Sequence, residues 1–199
     1  MDFLIFAIAH LFAILSPGPA FIGMTNFSIC YGFKKTVPFL LGLTVGNTIL
    51  LVISFFGLSE VIFKFFILKI MFYILSGSYI FYFGIKIWNK KPPQKGIEIK
   101  SSKAFLTGFG IEISNPKSLI FTTSLIALTI KPDTAISFQI LIFFWLVFVS
   151  FFYELVIAYS FSVFKNKIQK YLPLLNKIFG VLLLFFGARL IFFGLNFLY

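Results

Sequence analysis

Acidic residues are scarce in this chain, with six Asp and Glu among 199 residues, and cysteine and histidine occur once each, as Cys30 and His10. One cysteine cannot close an internal disulfide or form a CxxC pair, so thiol redox chemistry is excluded. One histidine without a cysteine cluster excludes a zinc site of the usual nitrogen and sulfur type, and no metal site is expected. The same shortage leaves an intramembrane hydrolase a single candidate base, and no Gly-x-Ser-x-Gly turn presents a nucleophile to it. An enzyme is therefore not expected, nor is a cofactor. Charged residues of both signs make up only 12% of the chain. A soluble domain carries about 25%.

What fills the chain instead is apolar. Hydrophobic residues reach 60%, phenylalanine alone occurs 32 times, and the mean hydropathy is +1.03. A water-soluble globule of this length would leave much of that surface wet, so the solvent for this protein is lipid. The net charge of +11 could suggest nucleic acid. Its placement argues otherwise, because the basic clusters alternate with apolar runs of the roughly 20 residues that cross a bilayer.

Six such runs are predicted as transmembrane helices: residues 3–26, 37–58, 67–88, 104–130, 136–164 and 178–198. The first has no basic leader region and no small-residue cleavage site after it, so it reads as a retained signal-anchor. Lysine asymmetry sets the orientation. With the N-terminus outside, the inner side holds Lys34, Lys35, Lys86, Lys90, Lys91, Lys95, Lys100, Lys103, Lys165, Lys167, Lys170 and Lys177. The outer side holds Lys64, Lys69 and Lys131, while Lys117 and Arg189 fall within spans. Twelve against three predicts that both termini face outward.

The chain also repeats itself. Gly77, Gly84 and Lys86 in the third span recur as Gly180, Gly187 and Arg189 in the sixth, each 103 residues later. Ser16-Pro17-Gly18-Pro19 in the first span corresponds to Ser114-Asn115-Pro116-Lys117 in the fourth, the serines 98 residues apart. Three spans per copy is odd, so the second copy enters the bilayer upside down, the inverted repeat of many secondary transporters. The expected layout is a single integral-membrane transporter domain over residues 1–199. Its first repeat covers 1–88, a cytoplasmic linker 89–103 and the second repeat 104–199.

The prolines interrupt helices at mid-depth. Each lacks an N–H and clashes with the carbonyl four residues back. Pro17 and Pro19 are thus predicted to free the carbonyls of Ala13 and Leu15, and Pro116 that of Glu112. The half-helices that follow begin near Phe21 and Ser118, where free N–H groups can receive a carboxylate. A plain kink is the bland alternative for Pro116 alone. Its pairing with Pro-Gly-Pro in the matching span points to a substrate site.

Intramembrane charge marks the same region. Glu112, Lys117 and Glu154 all fall inside spans, where an unpaired ion costs about 2.5–3.5 kcal/mol to insert. Glu112 and Lys117 serve equally as a structural pair or as a relay, and Glu154, with no obvious partner, reads as a proton carrier. Lys86 and Arg189 are expected to snorkel towards opposite interfaces, and His10 to be a packed, neutral side chain. Gly42-Leu43-Thr44-Val45-Gly46 is a GxxxG surface for close helix packing, and Asn47 after it serves equally as a cavity residue or as a helix-to-helix hydrogen bond.

These motifs together resemble the LysE/RhtB family of amino-acid exporters. The resemblance is carried by Ser16-Pro17-Gly18-Pro19, by Tyr31-Gly32-Phe33-Lys34-Lys35, by Gly42-x-x-x-Gly46-Asn47 and by Asn115-Pro116-Lys117 after Gly108-Phe109. It extends over essentially the whole chain. It implies an inner-membrane translocator for amino acids or close derivatives, driven by the proton gradient, with six helices in two inverted halves and a homodimer as a candidate assembly. Substrate contacts are then expected from Ser16, Pro17, Gly18, Pro19, Asn47, Glu112, Ser114, Asn115, Pro116 and Lys117, and proton coupling from Glu112 and Glu154. Two positions depart from the family pattern. Ala20 stands where a polar residue often follows Pro19, and Glu112 where Asn is frequent, which could favour a cationic substrate such as lysine or arginine. The alternative class is a divalent-cation exporter or channel of a distantly similar six-span family.

Overall fold

The computed structural model describes residues 3–15, 18–57, 64–89, 100–131 and 133–196. Every regular element among the described residues is helical. Lipid requires this, since in hydrocarbon each backbone N–H and C=O needs a partner within its own segment or a closed barrel. The elements are α1 (Phe3–Leu15), α2 (Pro19–Tyr31), α3 (Phe33–Phe55), α4 (Phe66–Trp88), α5 (Ser101–Ile113) and α6 (Pro116–Thr129). They continue with α7 (Ile136–Val163), a short α8 (Lys165–Ile168), a 3₁₀ turn and α9 (Leu172–Asn196).

Helices α3, α4, α7 and α9 are each long and apolar enough to cross a bilayer. The pair α1 and α2, bent by 57°, makes a fifth candidate. Helices α5 and α6 have 13 and 14 residues, too few to cross singly at about 1.5 Å per residue. Several boundaries differ from the hydropathy reading. Helix α3 starts at Phe33 rather than 37 and α9 at Leu172 rather than 178. Hydropathy marks the hydrocarbon stretch, whereas the helices run on into the interface and carry Lys34, Lys35 and Lys177 with them.

The ends of the helices sort into two groups. Asn26 Nδ2 donates to Asn176 Oδ1 at 2.6 Å, and the Phe33 N–H donates to Ser162 Oγ at 2.8 Å. Trp88 lies over Gly180. These contacts bring the ends of α2, α4 and α7 together with the starts of α3 and α9. Lys34, Lys35, Lys86 and Lys165 therefore share one end of the molecule. At the other end the Phe3 ring lies 5.1 Å from that of Trp145, Phe55 lies 5.9 Å from Phe143, and Tyr73 lies 6.4 Å from Phe193.

Small residues decide which helices touch. A Cβ at Gly42 would collide with the Phe105 carbonyl, and one at Gly108 with the Phe39 carbonyl, so α3 and α5 meet backbone to backbone. Helices α4 and α9 do the same. A Cβ at Gly77 would stand 2.8 Å from the Gly187 carbonyl, and one at Gly84 would stand 3.2 Å from the Gly180 carbonyl. Without a hydrophobic drive between helices in lipid, such close approach is what holds them together.

Buried apolar side chains form two separate clusters. One, towards the lysine-rich end, includes Ile22, Phe27, Phe39, Leu43, Ile80, Ile111 and Leu183. The other, towards the opposite end, includes Phe6, Leu51, Leu125, Ile142 and Leu146. The polar cavity described next lies between them, with Leu43 on one side and Leu51 and Leu146 on the other.

Candidate functional site

Both expected interruptions are present. Helix α1 ends at Leu15 and α2 begins at Pro19, preceded by Gly18 in extended backbone. Ser16 and Pro17 lie outside the described residues. Helix α5 ends at Ile113 and α6 begins at Pro116, with Asn115 as its N-cap. Proline suits a first helical position, because the N–H it lacks would have no helical partner there.

The carbonyls next to the two breaks fare differently. That of Ala13, four residues before Pro17, accepts a hydrogen bond from Lys117 Nζ at 3.1 Å. The lysine stem packs against Gly18, where an added Cβ would stand 3.5 Å from Lys117 Cδ. The carbonyl of Glu112, expected to be freed by Pro116, is not. The Asn115 N–H donates to it at 2.9 Å, and the Ser114 N–H donates to Gly110 O at 3.2 Å, so a tightened last turn closes α5.

A cavity of about 100 Å³ lies between the two interruptions. Of the residues singled out in the sequence, Gly18, Asn47, Glu112, Asn115, Lys117 and Glu154 line it. Three others do not. Pro19 and Pro116 line a second cavity of about 400 Å³ on the far side of the broken segments, together with Arg189. Ser114 lines neither, since it is spent in closing α5. The guanidinium of Arg189 lies 5.6 Å from the Phe193 ring centre, and Lys86 Nζ lies 4.5 Å from that of Tyr82.

The charges in the central cavity are arranged around glycine. Glu112 is 5% exposed and crosses α3 at Gly46, where a Cβ would come within 2.9 Å of Glu112 Cβ. Its carboxyl interacts with the side chains of Ser118 and Asn115 and with the charge of Lys117. Asn115 Nδ2 in turn donates to Ser118 Oγ at 2.9 Å. On the facing helix Glu154 Oε2 accepts from Thr44 Oγ1 at 3.4 Å, and Glu154 lies within the electrostatic reach of Glu112. Two carboxyl groups and one ammonium thus line one small cavity.

His10 belongs to the same wall, which the sequence did not indicate. It is 4% exposed, as a packed histidine should be, yet its Nε2 lies 3.2 Å from Ser150 Oγ at the cavity. His10 Nδ1 and Asn115 Oδ1 are both buried without a hydrogen-bond partner among the described residues, and such groups are costly unless something else pairs with them. Ser150, Tyr153, Ser118 and Thr122 complete the polar lining. Ser150 was within reach of sequence reasoning: it stands four residues before Glu154, so one helical face carries both.

The half-helix starts add a second source of positive potential. The first-turn N–H groups of α2 and α6 have no intrahelical partner and carry the positive end of the helix dipole. Ala20 and Phe21 from α2, and Lys117 and Ser118 from α6, line the cavity. The space therefore offers N–H donors and an ammonium for an anionic group, beside carboxylates for a cationic one.

An all-helical apolar chain with a polar pocket walled by interrupted helices defines the class: a multi-pass membrane protein. Residues 11–194 match the LysE type translocator family, and the chain belongs to it. It is 26% identical over 189 residues to an uncharacterized membrane protein of Haemophilus influenzae, covering 89% of this chain and 90% of that one. It is 29% identical over 136 residues to the threonine efflux protein of Escherichia coli K12, covering 64% of this chain and 66% of that one. The threonine efflux protein of Salmonella typhi is 27% identical over the same length and the same shares. The matched part is thus just under two thirds of the threonine efflux proteins. No solved structure is significantly similar to the chain.

Proposed function

We propose that this protein is a secondary transporter of the bacterial inner membrane that exports amino acids or close derivatives in exchange for protons. The observation that carries the reading is the cavity between the two helix breaks, where Lys117, Glu112 and Glu154 stand together with two half-helix N-termini. A zwitterion needs both signs of charge within one small volume, and this cavity supplies both. The substrate carboxylate is held by the first turns of α2 and α6 and by Lys117. Its ammonium faces Glu112, and Glu154 carries the coupled proton. Membership of a translocator family supports transport, and the threonine efflux proteins among its relatives make threonine the first substrate to test. The neighbours of Glu112 already offset its charge, which weighs against a requirement for a basic side chain.

The six-span arrangement in two inverted repeats is part of the same proposal, as is a single transporter domain with residues 89–103 as its cytoplasmic linker. It is supported by the crossing of α4 and α9. Gly77 meets Gly187 and Gly84 meets Gly180, the reciprocal pairing that a two-fold relation between copies 103 residues apart would produce. Short α5 and α6 then cross together as one broken span, and the lysine-rich end faces the cytoplasm, leaving both termini outside. The apolar clusters above and below the cavity act as outer and inner gates, and a homodimer is the proposed assembly. The alternative of a divalent-cation exporter or channel would need several oxygen ligands around the ion. Among the described residues no three His, Cys, Asp or Glu side chains gather, and Lys117 would repel the metal.

The test loads cells with dipeptides and measures which free amino acids leave, with and without the protein and with the proton gradient collapsed. Protein-dependent efflux of threonine or another small amino acid, abolished with the gradient, is the expected result. Equal efflux with and without the protein for every amino acid would overturn the reading.

A further inference from the structure

A separate cavity of about 570 Å³ opens between α2, α4 and α5 at the lysine-rich end of the molecule. Lys86 on α4 and Lys103 on α5 reach it from opposite walls, and Tyr31, Tyr79 and Tyr82 bring phenol groups to it. The remaining wall is largely apolar and includes Phe83 and Leu106. None of its described lining residues is acidic. Among the described residues, no carboxylate pairs with either lysine. Lys86 is instead held against the Tyr82 ring, 4.5 Å from its centre.

This chemistry contrasts with that of the central cavity. Among the described residues a zwitterionic amino acid would find no carboxylate for its ammonium here, and two cations with no described counter-charge suit a ligand of net negative charge. Apolar walls beside a cationic mouth suit a ligand that also carries hydrocarbon. Tyr82 and Leu106 at the opening are exposed, and tyrosine concentrates at the headgroup level of a bilayer.

We propose that this cavity binds the headgroup of an anionic phospholipid of the cytoplasmic leaflet. Lys86 and Lys103 neutralise the phosphate, the Tyr82 hydroxyl donates a hydrogen bond to one of its oxygens, and the acyl chains leave along Leu106 and Phe83 into the bilayer. Basic pockets between membrane helices on this side recognise anionic headgroups by the same rules. The site holds a lipid against α4, next to the close-packed α4 and α9 pair, and is independent of the central cavity, with which it shares no residue.

The experiment reconstitutes the full chain in nanodiscs of dioleoylphosphatidylcholine with or without dioleoylphosphatidylglycerol and counts retained lipid by native mass spectrometry after extraction. Wild-type protein should keep phosphatidylglycerol in preference to phosphatidylcholine. The Lys86→Gln, Lys103→Gln double variant should lose it by roughly 30-fold, as expected for two lysines near an anionic surface. Lys86→Arg with Lys103→Arg should retain it, and so should Lys34→Gln with Lys35→Gln, which removes equal charge outside the cavity. Equal retention of both lipids by wild type, or undiminished retention by the double glutamine variant, would overturn the proposal. Displacement of the lipid by millimolar threonine or by inorganic phosphate would overturn it too, by assigning the cavity to a soluble ligand. Amino-acid efflux is scored separately, so loss of the lipid site and failure of the transport reading remain distinct results.

Discussion

Lys117 Nζ lies 3.1 Å from the carbonyl oxygen of Ala13, joining the break in the second half of the chain to the break in the first. The bond has a covalent cause. Pro17 has no N–H to offer that carbonyl, and an unpaired carbonyl inside a membrane costs several kcal/mol. The lysine donates to the Ala13 carbonyl and at the same time places a positive charge against the start of α2. On the proposed function, substrate binding and the relative position of the two half-helices are coupled through this one side chain.

Replacing that side chain should therefore disable transport without preventing insertion. Lys117→Met is expected to reach the membrane in normal amount and to lose export by at least about tenfold, since hydrogen bonds to charged groups contribute about 1.5–3 kcal/mol. Quantifying membrane-fraction protein beside efflux checks this. Normal export by the variant would reduce the lysine to a packing residue.

The two carboxyl groups should separate by role. Glu154→Gln is expected to leave substrate binding intact while making efflux indifferent to a collapsed proton gradient. Glu112→Gln is expected to weaken binding of the ammonium end for neutral and basic amino acids alike. Efflux measured with and without a protonophore distinguishes the two. A Glu112→Gln variant that lost basic substrates alone would instead restore a basic-substrate reading.

Close helix contact at Gly42 predicts a stability effect. Gly42→Leu forces a side chain into the Phe105 carbonyl. Overpacking of this kind costs about 1–3 kcal/mol or more, so thermal unfolding in detergent should begin several degrees lower. Val45→Leu, on an exposed part of the same helix, should leave it unchanged.

Orientation can be read chemically. In a chain with Cys30 replaced by alanine, Lys131→Cys should react in intact cells with a membrane-impermeant maleimide. Lys34→Cys should react only after the membrane is opened. The reverse pattern would invert the topology.

Much of this architecture was legible in the residues. Hydropathy located α4 to within a residue, and prolines marked both interruptions. The glycines at 103-residue offset marked a repeat, and the structure adds that the two helices carrying them pack against each other. Their offset alone did not say that Gly77 would cross Gly187 rather than Gly180, because order along a chain does not encode which end of a partner helix lies opposite. The bond from Lys117 to Ala13 was hidden for a similar reason. The prolines reveal a carbonyl in need, but its partner stands 104 residues away. Asn115 also overturned the expectation for Glu112 by a purely local event, a tightened last turn that supplies an N–H where Pro116 cannot. His10 gave no signal at all, since its companion Ser150 comes from α7, 140 residues on.

The most direct test of the central claim is binding of threonine and two truncated analogues to the purified protein in detergent, followed by calorimetry. Threonine should bind, while threoninol, which lacks the carboxylate, and N-acetylthreonine, which lacks the ammonium, should each fail to bind at tenfold higher concentration. Threoninol or N-acetylthreonine binding as well as threonine would contradict a cavity built to hold both charges of an amino acid.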